Sequence, residues 1–213
     1  MTRIIAFAQR KGGTGKTTLA VSIAGELSYR GCKVDLIDAD PQKSAWAWAV
    51  PRNLPFPVWQ IELRPGSIGE WVQNVKTIES EFMVIDTAPN EQALEAAIAL
   101  AHLVVIPCSP SGLDIDVTRQ ALSIIAAARE RRATPIDVIL VPNRVDARTL
   151  EGQQLVEELE QFGKTVGSPV GSRSAFVRAF SSGHTVAECA PGSAADLEIK
   201  SLCDVLQETM FPE

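Results

Sequence analysis

The stretch Ile4-Ile5-Ala6-Phe7-Ala8-Gln9-Arg10-Lys11-Gly12-Gly13-Thr14-Gly15-Lys16-Thr17 decides the fold, because an apolar run of strand length passes directly into a glycine-rich loop. Beyond it, an apolar-periodic segment from Leu19 to Tyr29 reads as a helix that Gly31 can stop. Strand, loop and helix in that order aim backbone N–H groups at the helix start, where a phosphate group can be cradled. Gly12, Gly13 and Gly15 permit the close approach, with Thr14 and Thr18 beside them in the cradle. Lys16 can reach β/γ-phosphate oxygens, and Thr17 can ligate Mg²⁺. The usual first glycine of such a loop falls at Arg10, so this is a variant of the common P-loop pattern.

Working outward, Lys33–Asp38, Phe82–Asp86, Leu103–Pro107 and Ile136–Val141 are four further apolar strand patterns, and Trp59–Leu63 can supply another. Helical patterns cover about 67–80, 91–100, 114–132, 149–161, 173–181 and 193–210, the last beginning near Ser193. Strands alternating with helices predict an α/β fold of the P-loop NTPase type, a mainly parallel sheet covered by helices on both faces. With 213 residues, no repeat and no evident linker, a single domain over 1–213 is expected. The crowded segment with Trp46, Trp48 and Trp59 among prolines is best explained by aromatic packing around a connection.

Acidic residues at strand ends supply the rest of the chemistry. Asp38 and Asp40 flank Ala39 at the end of the second strand; Asp38 can organise Mg²⁺ or its water shell and Asp40 can orient an attacking water, the alternative for the pair being a helix-capping or turn role. Asp86 closes an apolar strand ahead of Thr87-Ala88-Pro89, the Walker B arrangement in which a carboxylate supports Mg²⁺ through water. Lys11 is a second lysine inside the loop, able to meet another phosphate charge, to reach across a subunit boundary, or simply to face solvent. Asn143 can either face a nucleotide base or cap a turn.

Other chemistries find little support. His102 and His184 stand alone, and Cys32, Cys108, Cys189 and Cys203 are far apart, without metal-ligand spacing or a disulfide framework, which fits a reducing cytoplasm. The loop lacks the spacing of a dinucleotide fingerprint, placing ATP or GTP ahead of NAD. No stretch approaches the roughly 20 apolar residues that span a bilayer, and the N-terminus shows no cleavage site of a secretory signal. A formal charge of −6, from 26 acidic and 20 basic residues, does not advertise nucleic acid, although a local basic patch would suffice for phosphate contacts.

Lys11-Gly12-Gly13-Thr14-Gly15-Lys16-Thr17, Asp38-Ala39-Asp40-Pro41-Gln42 and Asp86-Thr87-Ala88-Pro89 together resemble the ParA/MinD family of deviant Walker A ATPases. The resemblance runs over nearly the whole chain, including Pro107-Cys108-Ser109-Pro110-Ser111, and is nearest to short ParA-like partition proteins without an N-terminal DNA-reading extension. It implies ATP with Mg²⁺ as ligands and an ATP-bound sandwich homodimer. In that dimer Lys11 contacts the partner's nucleotide, Lys16 holds its own phosphates, Thr17 binds Mg²⁺, Asp40 positions water, and Asp38 and Asp86 support the metal region. Hydrolysis is expected to be slow alone and stimulated by a ParB-like or cargo-specific adaptor.

The leading expectation is partition of a plasmid or chromosome locus by a cytoplasmic protein that gathers on the nucleoid when ATP-bound. Nonspecific duplex DNA would be held near Arg173 and Arg178, with Arg144 or Arg148 extending the patch. The alternatives are positioning of a protein cargo such as a microcompartment, or an ATP-controlled binding switch with negligible turnover. Membrane association is not expected, because 194–213 mixes Asp196, Glu198, Asp204 and Glu208 into its apolar pattern and offers almost no positive face. Without paired metal-binding cysteines, the reductase and metal-inserting branches are also poor matches.

Overall fold

The structure is a computed structural model that describes residues 2–130, 132 and 134–211. Its strands are β1 (Arg3–Phe7), β2 (Val34–Asp38), β3 (Val58–Gln60), β4 (Phe82–Asp86), β5 (Leu103–Cys108), β6 (Asp137–Val145), β7 (Thr165–Val166) and β8 (Val170–Gly171). The helices are α1 (Lys16–Tyr29), α2 (Ser44–Ala49), α3 (Ile68–Lys76), α4 (Glu91–Leu100), α5 (Gly112–Arg129), α6 (Leu150–Glu160), α7 (Ser174–Ser182), α8 (Val186–Cys189) and α9 (Ala194–Met210). All strand pairs are parallel, in the order β3-β2-β4-β1-β5-β6-β7, with β8 on β6.

Alternation along the strands splits the apolar residues between two layers. Ile5, Phe7, Leu36, Val84 and Val105 pack on one face with Leu19, Ile23 and Leu27 of α1 and Ile199, Leu202 and Leu206 of α9. Ile4, Ala6, Ile37, Ile85 and Ile106 pack on the other with Trp71 of α3, Leu94 of α4, Ile125 of α5 and Leu155 of α6. Burial of each large aliphatic or aromatic side chain contributes about 1.5–3 kcal/mol. A sheet covered on both sides explains why its strands are continuous apolar runs.

β1 lies at the centre, where the strand order reverses, with β4 on one side and β5 on the other. The crevice beyond the strand ends at such a reversal is where ligands bind in open α/β sheets. Register brings the relevant residues together there: Phe7 pairs with Asp86, and Asp86 pairs with Asp38.

Several elements depart from the sequence reading. β3 starts and ends earlier than Trp59–Leu63, α3 stops at Lys76, and β6 continues through Pro142, Asn143 and Arg144 to Val145. The tryptophan-rich connection contains α2, and Trp48 is buried there with its indole N–H donating to the His184 carbonyl at 2.9 Å. Trp59 donates to Asp35 Oδ1 at 2.7 Å. The four cysteines are free thiols, with Cys108 and Cys203 in the core. Among the described residues, no helix is long and apolar enough to cross a membrane.

Candidate functional site

The loop between β1 and α1 has the backbone that its glycines allow. Gly13 and Gly15 adopt φ 76° and 93°, conformations that L side chains resist. Gly15 is the N-cap of α1, which has no side-chain cap and no acidic residue in its first turn, leaving its leading N–H groups to an outside acceptor. Behind the loop, Asn143 Nδ2 donates to the Thr14 carbonyl at 2.7 Å, and a Cβ at Gly15 would lie 2.2 Å from that nitrogen. Asn143 therefore props the loop from β6 and makes glycine necessary at 15.

In front of the loop opens a cavity of about 780 Å³ onto which Gly12, Gly13, Gly15, Lys16, Thr17, Thr18, Asp40 and Asn143 converge. Lys16 is buried, and its Nζ donates to the Lys11 carbonyl at 3.2 Å. Burial lowers its pKa, and the negative charges of Asp86 and Asp40 work against that shift. Thr17 Oγ1 donates to Asp86 Oδ2 at 2.7 Å, while Asp86 Oδ1 is buried without a hydrogen-bond partner. Burial pushes the Asp86 carboxyl up to about 7, with the Thr17 hydrogen bond acting the other way. A hydroxyl and an orphaned carboxylate oxygen suit Mg²⁺, which takes one or two protein oxygens and fills its remaining positions with water and phosphate.

The other aspartates are placed differently from each other. Asp40 faces the cavity and receives the Gln42 N–H at 2.9 Å on Oδ1. Asp38, expected in the metal region, is fully buried with Oδ1 accepting the Asp40 N–H at 3.1 Å and Oδ2 the Trp46 N–H at 2.8 Å. Both its oxygens are occupied with the turn into α2, whose uncapped start supplies donors, so Asp38 shapes the loop that carries Asp40. Burial raises its pKa, opposed by these backbone hydrogen bonds.

Residues 5–186 match the family profile described as the CobQ/CobB/MinD/ParA nucleotide binding domain. The chain belongs to this family. It is 31% identical over 186 residues to maintenance of carboxysome distribution protein A of Gloeobacter kilaueensis, covering 84% of this chain and 77% of that protein. With Protein ParA of Rhizobium radiobacter it shares 30% identity over 129 residues, 60% of this chain and 58% of the relative. Among solved structures, apo McdA of Cyanothece superposes with a TM-score of 0.80 at 16% identity, covering 97% of this chain and all of that one. Membership in a nucleotide-binding P-loop ATPase family agrees with the cavity and its cradle.

Three expected residues sit in contacts that the local pattern did not reveal. Lys11 lies beside α5, its ammonium 2.5 Å from Asp114 Oδ1. Arg173 lines the cavity but is held by Glu198 of α9, with Nη2 2.5 Å from Oε1, and Glu198 also accepts the Gly171 N–H at 3.0 Å. Arg178 is exposed on α7 and donates to Ser174 at 3.0 Å, so the expected DNA pair consists of one engaged guanidinium and one outward-facing one. Asp114, Glu198 and Gln9 were not singled out from sequence, since their partners are distant in the chain. The apolar residues Phe176, Val177 and Phe180 of α7, which complete the cavity wall, were legible only as a helix face.

Proposed function

We propose that this chain is an ATPase of the ParA/MinD kind that dimerises on ATP, and that it positions a protein assembly. The observation that carries the ATPase reading is the convergence of Lys16, the Thr17–Asp86 pair and Asp40 on one open cavity at the uncapped start of α1. In this reading the backbone of Gly12 to Gly15 and the Lys16 ammonium bind the phosphates, and Thr18 extends the cradle. Thr17 and ionised Asp86 hold Mg²⁺, which supplies neutralisation of the charge developing on the phosphates. Asp40 accepts a hydrogen bond from the water and so orients it; the water's oxygen bonds to the γ-phosphorus as the bond to the β-γ bridging oxygen breaks, ADP leaves on that oxygen, and the water's proton passes to an oxygen of the released phosphate. Asn143 keeps the loop in register and stands at the base end of the cavity. Lys11 reaches the nucleotide of the second subunit in the dimer. The residues of 1–213 act as one domain in this scheme.

The protein-cargo reading is supported by the identity with the carboxysome-distribution relative over more than four-fifths of the chain. It is also supported by the Arg173–Glu198 ion pair, which neutralises one of the two arginines expected at DNA. A cargo-specific adaptor would stimulate turnover. The second reading, partition of a DNA locus with a ParB-like adaptor and nucleoid-bound ATP dimers in the cytoplasm, is supported by the ParA relative and by exposed Arg178. Stable membrane association belongs to neither reading.

The test is phosphate release and DNA retention by the purified protein with Mg-ATP, at low salt, with native and scrambled duplexes. Slow phosphate release without DNA retention supports a protein cargo. Retention that needs ATP, ignores sequence and weakens with salt supports the DNA locus. A protein that binds ATP but releases no phosphate, even with adaptor and DNA, is an ATP-controlled binding switch and overturns the ATPase reading.

A further inference from the structure

Away from the nucleotide cavity, the sheet carries a charged group that the proposed reaction does not use. Asp35, near the start of β2, is only 4% exposed, on a strand whose other early residues, Val34, Leu36 and Ile37, belong to the two apolar layers. Its Oδ1 accepts the indole N–H of Trp59 at 2.7 Å, while Oδ2 accepts nothing from the described residues and is not sealed in the core. No described lysine or arginine forms an ion pair with it. A carboxylate this deeply buried is costly with an oxygen unpaired, and it stands open to a donor from outside.

Asp35 lines a cavity of about 490 Å³ at the edge of the sheet, where β3 is the outermost strand. Trp59 pairs with Ile37, which puts its ring on the same face as Asp35, and the residue is 46% exposed. Pro57 and Ile78 add apolar surface, and exposed Glu79 adds a second carboxylate. Thr77, the C-cap of α3, also lines the cavity, so the negative end of that helix's dipole is directed at it. Lys33 is the basic residue of the wall and pairs with neither carboxylate. A metal ion needs several oxygen ligands, and among the described residues no group of His, Cys, Asp and Glu gathers to hold one. An arginine side chain fits the wall better: its stem can lie along Pro57 and Ile78, its planar guanidinium can stack on the indole, and one N–H can donate to Asp35 Oδ2.

We propose that this cavity binds an arginine side chain presented by a partner protein. It is a second binding site, at the end of the sheet away from the phosphate loop, since β2 runs from Val34 in its wall to Asp38 beside Asp86. No residue lines both this cavity and the one at the phosphate loop. A partner anchored here therefore leaves the nucleotide uncovered, and the inference is independent of the ATPase reading.

The indole N–H of Trp59 is the reporter, because it donates to the carboxylate that the guanidinium engages. It is followed in ¹H–¹⁵N spectra of the full chain and assigned by its loss in Trp59→Phe. Capped arginine, capped lysine and capped citrulline, whose neutral ureido group replaces the guanidinium, are titrated at constant ionic strength. Capped arginine should move the Trp59 resonance along a saturable curve, lysine should bind more weakly, and citrulline should not bind. Asp35→Asn keeps an acceptor for the indole and should weaken arginine binding roughly tenfold or more. Should the asparagine variant not fold, Asp35→Ser offers the indole a hydroxyl oxygen and is read in the same way. The peptide Gly-Ser-Arg-Ser-Gly should bind at least as tightly as capped arginine; a peptide that fails where the capped amino acid binds makes this a small-molecule site and overturns the partner reading. Lysine binding as tight as arginine overturns the guanidinium assignment. An equal response to arginine and citrulline, or unchanged binding by the Asp35 variant, overturns the site.

Discussion

Replacing Gly15 by alanine should disable the site through the backbone alone, without touching a charged group. The residue sits at φ 93° as the N-cap of α1, where a Cβ is strained by about 1–2 kcal/mol. The added Cβ would also lie 2.2 Å from Asn143 Nδ2, so Asn143 must move and forfeit its 2.7 Å hydrogen bond to the Thr14 carbonyl. A lost buried hydrogen bond of this kind costs about 1–3 kcal/mol. Together the terms give a destabilisation of about 2–5 kcal/mol, which at roughly 2–4 °C per kcal/mol for a chain of this size lowers Tm by at least about 4 °C. Urea unfolding of Gly15→Ala, Asn143→Ala and the double variant measures both contributions. Asn143→Ala already lacks the hydrogen bond and relieves the overlap, so the double variant should be less destabilised than the sum of the singles by about 1–3 kcal/mol. A Gly15→Ala protein within about 0.5 kcal/mol of wild type, or strict additivity in the double variant, would refute the propping role of Asn143.

Asp40→Ala should retain Mg-ATP binding and ATP-dependent dimers yet lose most phosphate release, because an oriented water matters in the transition state more than in the ground state. Full turnover in a phosphate assay would remove Asp40 from that role. Asp86, raised to about 7 by burial, gives the metal-free protein stability that is fully present below the unfolded carboxyl value near 4 and is lost as pH rises through 7. Asp86→Asn, which keeps an acceptor for Thr17, should therefore gain up to about 4 kcal/mol over wild type between pH 4 and 8 in chelator; a stability difference independent of pH would contradict the buried-charge account. Arg178→Glu alone is the clean test of a DNA face, since Arg173→Glu would set a second carboxylate against Glu198 and disturb the Gly171 turn. If DNA is a partner, retention at fixed salt should fall with ATP-dependent dimers intact, and unchanged retention eliminates this patch.

The sheet and the phosphate loop were legible because each rests on local pattern. Phe82–Asp86 is a strand five residues long with an acidic end, and the structure gives those same limits. The last helix was expected to begin near Ser193, and Ser193 is the N-cap of α9, its side chain accepting the Asp196 N–H. The apolar pattern that marked β6 ends at Val141, but the strand runs on through Pro142, paired with Cys108, and this extension carries Asn143 to the loop. Elements of two to four residues, β7, β8 and α8, are too short to show any period. Asp38 stands at the strand end where the sequence put it, and its two contacts fit the turn or cap role that the sequence left open: one partner is the Asp40 N–H in the turn, the other the Trp46 N–H of a short helix that alanines and tryptophans did not announce. Side-chain pairs such as Lys11–Asp114 and Arg173–Glu198 join distant parts of the chain and leave no spacing to find.

The most direct test of the central claim is the solution mass of the purified protein in Mg-ATP and in Mg-ADP, with Lys16→Ala run beside it. Light scattering should report a species twice the 23.0 kDa protomer for the wild type in ATP, and the protomer mass in ADP and for Lys16→Ala in either nucleotide. A wild-type protein that binds ATP yet keeps the protomer mass, or a Lys16→Ala protein that dimerises as wild type does, would contradict the account.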